Sequence, residues 1–99
     1  MLVSVRLFAG LRERAGAARV EVELTNRGTA VALAAQAVVR DAESRGRVLP
    51  AYASDNYVSL LPGERRRIFI EVPKPTRAVA VELKGWNVRG AFIPVAAAR

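Results

Sequence analysis

The sequence predicts an all-β protein, an antiparallel β-sandwich of about seven short strands. Three observations favour this fold class. Several segments alternate apolar with polar residues, turn residues recur about every ten positions, and 52% of the 99 residues are hydrophobic although few are aromatic. A core of Val, Leu, Ile and Ala is therefore expected. No internal repeat interrupts the pattern, so residues 1–99 are predicted to form a single domain.

The first third of the chain contains two predicted strands. Residues 3–8 place Val3, Val5 and Leu7 on one face, and residues 19–24 alternate strictly. Residues 11–18 are polar and contain a glycine, which predicts a connection between these strands. Residues 26–28 (Asn-Arg-Gly) predict a turn, since Asn and Gly tolerate positive φ.

Residues 29–41 fit either a helix or a strand. Alanine favours a helix, in which Val31, Ala34, Ala35 and Val38 share one face. As a strand, the segment places Val31, Leu33, Ala35, Ala37 and Val39 on one face. The neighbouring strands favour the β interpretation, because a lone helix has no obvious place in a sandwich.

The central segments are short and are separated by turn chemistry. Residues 41–47 resemble a hairpin turn, and Pro50 makes residues 48–52 an edge strand or an extended segment. Asp55 and Asn56 are expected to form hydrogen bonds to nearby backbone at a reversal before the strand at 57–60.

The final segments alternate again. Pro62 and Gly63 stand at the central positions of a predicted type II turn. Strands are then expected at residues 67–72, 77–84 and 91–95.

Composition excludes much enzyme chemistry. The chain has no Cys and no His, so it lacks the residues for a thiolate metal site, a Ser–His–Asp triad or a Cys–His pair. No catalytic residue, metal ligand or cofactor is predicted. The glutamates at 21, 23, 71 and 82 occupy outward strand positions and are interpreted as solvated.

The net charge of +7 comes from arginines scattered along the chain. The densest run, residues 65–67, is interpreted as the solvated start of a strand, and nucleic acid is not predicted as a partner. No stretch reaches the roughly twenty apolar residues of a membrane span, so no membrane partner is predicted either. The compartment cannot be deduced.

The central part of the chain resembles the C-terminal immunoglobulin-like domain of glycoside hydrolase family 2 enzymes, in the β-mannosidase and exo-β-glucosaminidase branch. The resemblance covers residues 19–88 and lies in Val22-Glu23-Leu24-Thr25-Asn26, Val48-Leu49-Pro50, Ser54-Asp55-Asn56-Tyr57, Leu60-Leu61-Pro62-Gly63-Glu64 and Gly85-Trp86-Asn87. One departure is the third strand, which the family often fills with Phe and which is mostly Ala here.

The resemblance implies an immunoglobulin-like sandwich whose partner is the catalytic barrel of a parent glycosidase. Retaining glycosidases need two carboxylates about 5–5.5 Å apart, and in the family that pair belongs to the barrel. This chain is therefore expected to be a non-catalytic accessory domain that borders the substrate cleft. Tyr57, Trp86 and Asn56 are candidates for contact with carbohydrate or with the barrel, and Asp55, Pro62 and Gly63 are candidates for structural turn residues.

Two alternatives stay open. One is a free-standing carbohydrate- or protein-binding module, for which exposed aromatic residues would be the sign. The other rests on residues 5–16, which look like the opening of the ubiquitin-like sulfur carrier of molybdopterin synthase. Such carriers act through a C-terminal Gly-Gly, whereas this sequence ends Ala-Ala-Ala-Arg. A helix across residues 31–40 would support the carrier.

Overall fold

The computed structural model describes residues 2–97, which form two β-sheets packed face to face. The five-stranded sheet has the order β4-β6-β2-β1-β9, and the four-stranded sheet has the order β5-β3-β7-β8. The strands are β1 (Val5–Arg14), β2 (Ala17–Asn26), β3 (Ala32–Asp41), β4 (Tyr52–Ala53), β5 (Val58–Leu60), β6 (Arg65–Pro73), β7 (Val79–Lys84), β8 (Ala91–Pro94) and β9 (Ala96–Ala97).

The predicted sandwich is confirmed, with two more strands than expected. The additional strands are short, since β4 and β9 contain two residues each. All named strand pairs are antiparallel except β1 with β9, which run parallel. No helix long and apolar enough to cross a membrane occurs among residues 2–97.

The inner faces of the two sheets form one aliphatic core. Successive side chains of a strand point to opposite faces, so every second residue enters this core. On β2, Val20, Val22 and Leu24 are buried, while the residues between them face outward. On β7, Val79, Val81 and Leu83 point inward as predicted. Burial of these side chains supplies the main driving force for folding, about 25 cal/mol per Å² of apolar surface.

The predicted connection at residues 11–18 was wrong. β1 continues to Arg14 and β2 begins at Ala17, and the two strands pair over ten positions. Ala15 and Gly16 form the whole connection, with φ of 45° and 82°. Positive φ at both central residues of a two-residue hairpin is typical of a type I′ turn. Gly16 was a turn signal, but an alanine before it is unusual.

Most of the segment at residues 29–41 is a strand, β3 (Ala32–Asp41), so the helix that would have supported a sulfur carrier is not formed. The predicted inward face was only half correct. A bulge with Ala34 at φ 53° shifts the register between Ala32 and Ala35, so both of these alanines point inward. Val31 and Leu33 are consequently exposed.

Candidate interaction surface at the Trp86 end

The molecule is elongated, 40 × 23 × 21 Å, and four segments meet at one end of the sandwich. They are residues 2–4, 27–31, 61–64 and 85–89, and we call this region the Trp86 end. Backbone hydrogen bonds join them: Val3 N donates to Asn87 O at 2.6 Å, and Arg27 N donates to Ser4 O at 2.9 Å.

Asn87 fixes the backbone that carries Trp86. Its side-chain Oδ1 accepts a hydrogen bond from Leu33 N at 2.7 Å, and its Nδ2 donates to Val31 O at 2.8 Å. Trp86 N donates to Leu33 O at 3.1 Å. The amide thus continues the pairing between β3 and β7 beyond the end of β7, and three hydrogen bonds tie residues 86 and 87 to residues 31–33.

Gly85 makes the close approach of this loop possible. A Cβ at position 85 would lie 2.5 Å from Cγ2 of Val88 and 2.7 Å from its Cβ. Val88 is buried and anchors the loop in the core. The Gly85-Trp86-Asn87 motif is therefore explained locally: Gly85 gives room, Asn87 bonds the neighbouring strand, and Trp86 is presented to solvent.

Asn26 is a buried polar residue that joins the segments of the Trp86 end from inside the sandwich, whereas the sequence predicted for it only a turn and a place in the family pattern. Its Nδ2 donates to Leu60 O at 2.8 Å and to Ala30 O at 2.9 Å, and its Oδ1 accepts from Gly28 N at 2.8 Å. Its exposed fraction is 1%. Its place in the Thr-Asn strand end of the family pattern was the signal that could have identified it.

The outer side of the four-stranded sheet carries exposed apolar side chains at the Trp86 end and next to it. Trp86 is 83% exposed and Tyr57 is 66% exposed. Val58 and Leu60 point inward on β5, so Tyr57 and Leu61 flank the strand on the outer side of the sheet. We call Val31, Leu33, Tyr57, Leu61 and Trp86 the apolar patch; all are exposed. Such patches commonly mark interaction sites.

The structure brings Tyr57 and Trp86 to the same sheet, on either side of β3, because β5 and β7 both pair with β3. It does not draw Asp55 and Asn56 into a hydrogen-bonded reversal. Among residues 2–97, the hydrogen bonds of this turn involve the side chain of Ser54, whose Oγ accepts from Phe69 N at 3.0 Å, and not those of Asp55 or Asn56.

Pro62 and Gly63 form the turn that leads into β6. Gly63 has φ 80°, and Glu64 N donates to Leu61 O at 2.9 Å, which is the geometry of a type II turn. The carboxylate of Glu64 closes the turn from the other direction by accepting from Leu61 N at 2.9 Å. Leu61 is thereby held on the surface beside β5.

The outer face of the five-stranded sheet carries rows of opposite charge. Arg12 Nε lies 3.4 Å from Glu21 Oε2, and Arg67 Nε lies 3.5 Å from Glu23 Oε2. Similar pairs join Arg19 to Glu71 and, on the other sheet, Arg40 to Glu82. The four outward glutamates are thus paired with arginine at a partly solvated surface, where each pair contributes about 0–1 kcal/mol.

A shallow hollow of about 290 Å³ opens on this face beside Gly10, between Phe8 and Phe69. Glu21 and Glu23 both line it, so two carboxylates that alternation places on one face do come near each other. The hollow is open, and both carboxylates are occupied by arginines. Among residues 2–97, no group of three or more acidic residues is placed to hold a metal ion.

The end opposite Trp86 contains a turn of mixed charge at residues 41–47. The backbone N–H groups of Ser44 and Glu43 donate to Oδ1 of Asp41, each at 2.9 Å. These bonds hold the pKa of Asp41 below its ordinary value, and the charge of Arg77 acts in the same direction. Arg45 at this turn stacks over Phe92, 4.1 Å from the ring centroid.

Comparison with known proteins identifies relatives of this fold. Residues 2–88 match the family described as the exo-β-D-glucosaminidase Ig-fold domain. The crystal structure of the Amycolatopsis orientalis exo-chitosanase CsxA is similar with a TM-score of 0.89 and 26% identity, over 95% of this chain and 12% of that one. A second structure, from work on the inhibition of the exo-β-D-glucosaminidase CsxA, gives a TM-score of 0.87 and 27% identity over the same shares of the two chains.

A curated relative is the mannosylglycoprotein endo-β-mannosidase of Lilium longiflorum, 48% identical over 42 residues. That match spans 41% of this chain and 4% of the lily protein. The chain thus spans only a small part of the length of the relatives it matches. The resemblance to this branch of glycosidase domains is confirmed.

Proposed function

The chain belongs to the exo-β-D-glucosaminidase Ig-fold domain family, and from that membership we propose that it is a non-catalytic accessory domain of a retaining glycosidase. It packs against the catalytic barrel of a parent enzyme and borders the substrate cleft, and residues 1–99 make up one such domain. The observation that carries this proposal is Trp86. An indole that is 83% exposed on a loop fixed by Asn87 suits a contact with another surface better than a role within this domain.

We assign catalysis to the barrel of the parent glycosidase and not to this domain. The glutamates on the outer strand positions support this assignment, because each is engaged by an arginine. Glu21 and Glu23 share a hollow, but it is open to solvent and does not exclude water. We propose that the chain alone hydrolyses neither aryl β-glucosaminides nor aryl β-mannosides.

We further propose that the parent acts on β-linked glucosamine rather than mannose. The family match spans residues 2–88 and the exo-chitosanase structures cover 95% of the chain, whereas the mannosidase match spans 41%. A β-mannosidase parent is the alternative.

The first test is a hydrolysis assay of the purified 99-residue chain on both aryl glycosides. No turnover above the blank is expected. Turnover that Glu21→Gln or Glu23→Gln abolished, with Glu71→Gln as the matched surface control, would show that the chain is an enzyme and would overturn the proposal.

A second candidate function, a carbohydrate-binding module, is favoured by the exposure of both Tyr57 and Trp86. Its test is the chemical-shift response of the chain's amides to chito- and manno-oligosaccharides. Shifts confined to residues around the apolar patch would support sugar binding. Unchanged spectra at millimolar sugar would exclude it.

A further inference from the structure

The Trp86 end combines two chemistries that lie apart in the sequence. Beside the apolar patch, the same end carries the side chains of Arg6, Arg27, Arg65 and Arg89, all exposed residues. Arg27 and Arg89 are tied to the first segment, since Arg27 N donates to Ser4 O and Arg89 N to Val3 O, both at 2.9 Å. Arg6 and Arg65 lie on the outer face of the five-stranded sheet, whereas the apolar patch lies on the four-stranded sheet, so the arginines and the apolar side chains occupy opposite sides of the same end.

Two of these arginines form a cross-strand row. Arg6 and Arg65 both pair with Thr25, one from β1 and the other from β6. Neighbouring strands lie about 4.8 Å apart, so their Cα atoms are separated by about 10 Å, with the Thr25 side chain between them. Arg6 also stacks on Phe8, with its guanidinium carbon 4.4 Å from the ring centroid.

These four arginines differ from the others on the same sheet. Within residues 2–97, no carboxylate lies within 4.0 Å of Arg6, Arg27, Arg65 or Arg89, whereas three others on that sheet's outer face (Arg12, Arg19 and Arg67) are all paired with glutamates. Glu64, the acidic residue of the segments that form this end, is occupied by Leu61 N and by Arg66. The positive charge here is uncompensated.

The opposite end carries acidic residues among its basic ones, although its positive charge is still in slight excess. Arg45, Arg47 and Arg77 lie there together with Asp41 and Glu43, and the pKa of Asp41 is lowered in part by Arg77. The end that exposes Trp86 is therefore the more positive of the two ends.

We propose that the Trp86 end is the docking surface for an adjoining domain whose own surface has an apolar part beside a carboxylate-rich part. Trp86, Val31 and Leu61 form the apolar side of the contact, and Arg6, Arg27, Arg65 and Arg89 pair with the carboxylates on its other side. Aromatic residues and arginine are the groups most enriched in such contacts. This inference rests on the proposed function. It specifies which surface of the domain docks and which groups the adjoining domain presents to that surface.

A second copy of the chain is a poorer occupant. In a two-fold dimer the same patch faces itself, so the four arginines of one copy would approach those of the other. Like charges placed together across an interface oppose association. Charge complementarity therefore favours a different, acidic surface.

The first part of the test uses the 99-residue chain and poly-L-glutamate as the carboxylate probe at low ionic strength, followed by amide chemical shifts. We expect poly-L-glutamate to shift the amide signals of residues 4–6, 25–29 and 64–66. Added salt should abolish these shifts. Arg27→Glu with Arg65→Glu should weaken binding about tenfold or more, whereas Arg47→Glu with Arg77→Glu, an equal change of net charge at the other end, should have little effect. Shifts centred on residues 41–47, or equal effects of both double variants, would overturn the proposal.

The second part uses the complete Amycolatopsis exo-chitosanase carrying this chain in place of its matching segment. The Arg27/Arg65 variant should unfold at lower temperature than the Arg47/Arg77 variant, and added salt should narrow the difference. An active chimera whose stability is the same with both double variants would overturn the docking assignment and leave the accessory function standing. Reversible self-association of the isolated chain through the Trp86 end, seen by sedimentation, would also overturn it.

Discussion

Replacement of Asn26 by alanine tests the role of the buried amide in the Trp86 end. The substitution removes three hydrogen bonds of 2.8–2.9 Å and leaves Leu60 O, inside the protein, without that partner. A typical hydrogen bond contributes about 1 kcal/mol net, so the expected loss in the free energy of unfolding is about 3 kcal/mol. For a domain of this size, such a loss lowers Tm by about 12–24 °C.

The assay is urea unfolding followed by circular dichroism, with thermal unfolding as a second measurement. Asn56→Ala is the matched control, because Asn56 is exposed and its side chain forms none of the hydrogen bonds described for residues 2–97. A change within about 0.5 kcal/mol is expected for the control. If Asn26→Ala also lost less than 1 kcal/mol, the amide would not be organising this end, and the reasoning would be refuted.

Three further substitutions probe other features. Gly85→Ala should destabilise the domain by about 1–3 kcal/mol in urea unfolding, because the new Cβ overlaps Val88. The control Gly46→Ala should be tolerated, because a Cβ at position 46 meets no atom closer than 3.5 Å. Equal effects of the two substitutions would contradict the packing argument. Asp41 has a lowered pKa, so its contribution to the stability of the fold is present above its unfolded-state pKa and is lost as pH falls through the folded-state pKa. Asp41→Asn should therefore flatten the dependence of Tm on pH below about pH 4. An unchanged slope of Tm against pH would argue against the role of the two backbone hydrogen bonds. Ala15→Asn should stabilise the β1–β2 hairpin by about 0.5–1 kcal/mol, since asparagine tolerates positive φ better than alanine, and a loss of stability would contradict the turn assignment.

Much of the fold was predictable because alternation along a strand reports directly on burial. The inward Val20, Val22 and Leu24 of β2 needed no knowledge of the partner strands. The β1–β2 hairpin was missed because a polar strand that continues beyond the core has the same composition as a loop, and only Gly16 marked the reversal. The inward face of β3 was shifted because a bulge at Ala34 carries no sequence signal when alanine occupies it.

The candidate surface was predictable only in part. Trp86 and Tyr57 were identified from their motifs, but whether they faced the core or solvent depended on the tertiary structure. The grouping of Arg6, Arg27, Arg65 and Arg89 was not predictable, because these arginines come from four segments that meet only when both sheets are assembled. Likewise, the roles of Asn26 and Asn87 depend on backbone groups that are distant in sequence.

The most direct test of the account compares hydroxyl-radical footprinting of Trp86 in two states, with oxidation of its peptide measured by mass spectrometry. One state is the isolated 99-residue chain, and the other is the same chain within the chimeric exo-chitosanase. If the chain is an accessory domain that docks through the Trp86 end, Trp86 should be oxidised rapidly in the isolated chain and several-fold more slowly in the chimera. Equal oxidation in both states, in a chimera that is folded and active, would contradict the account.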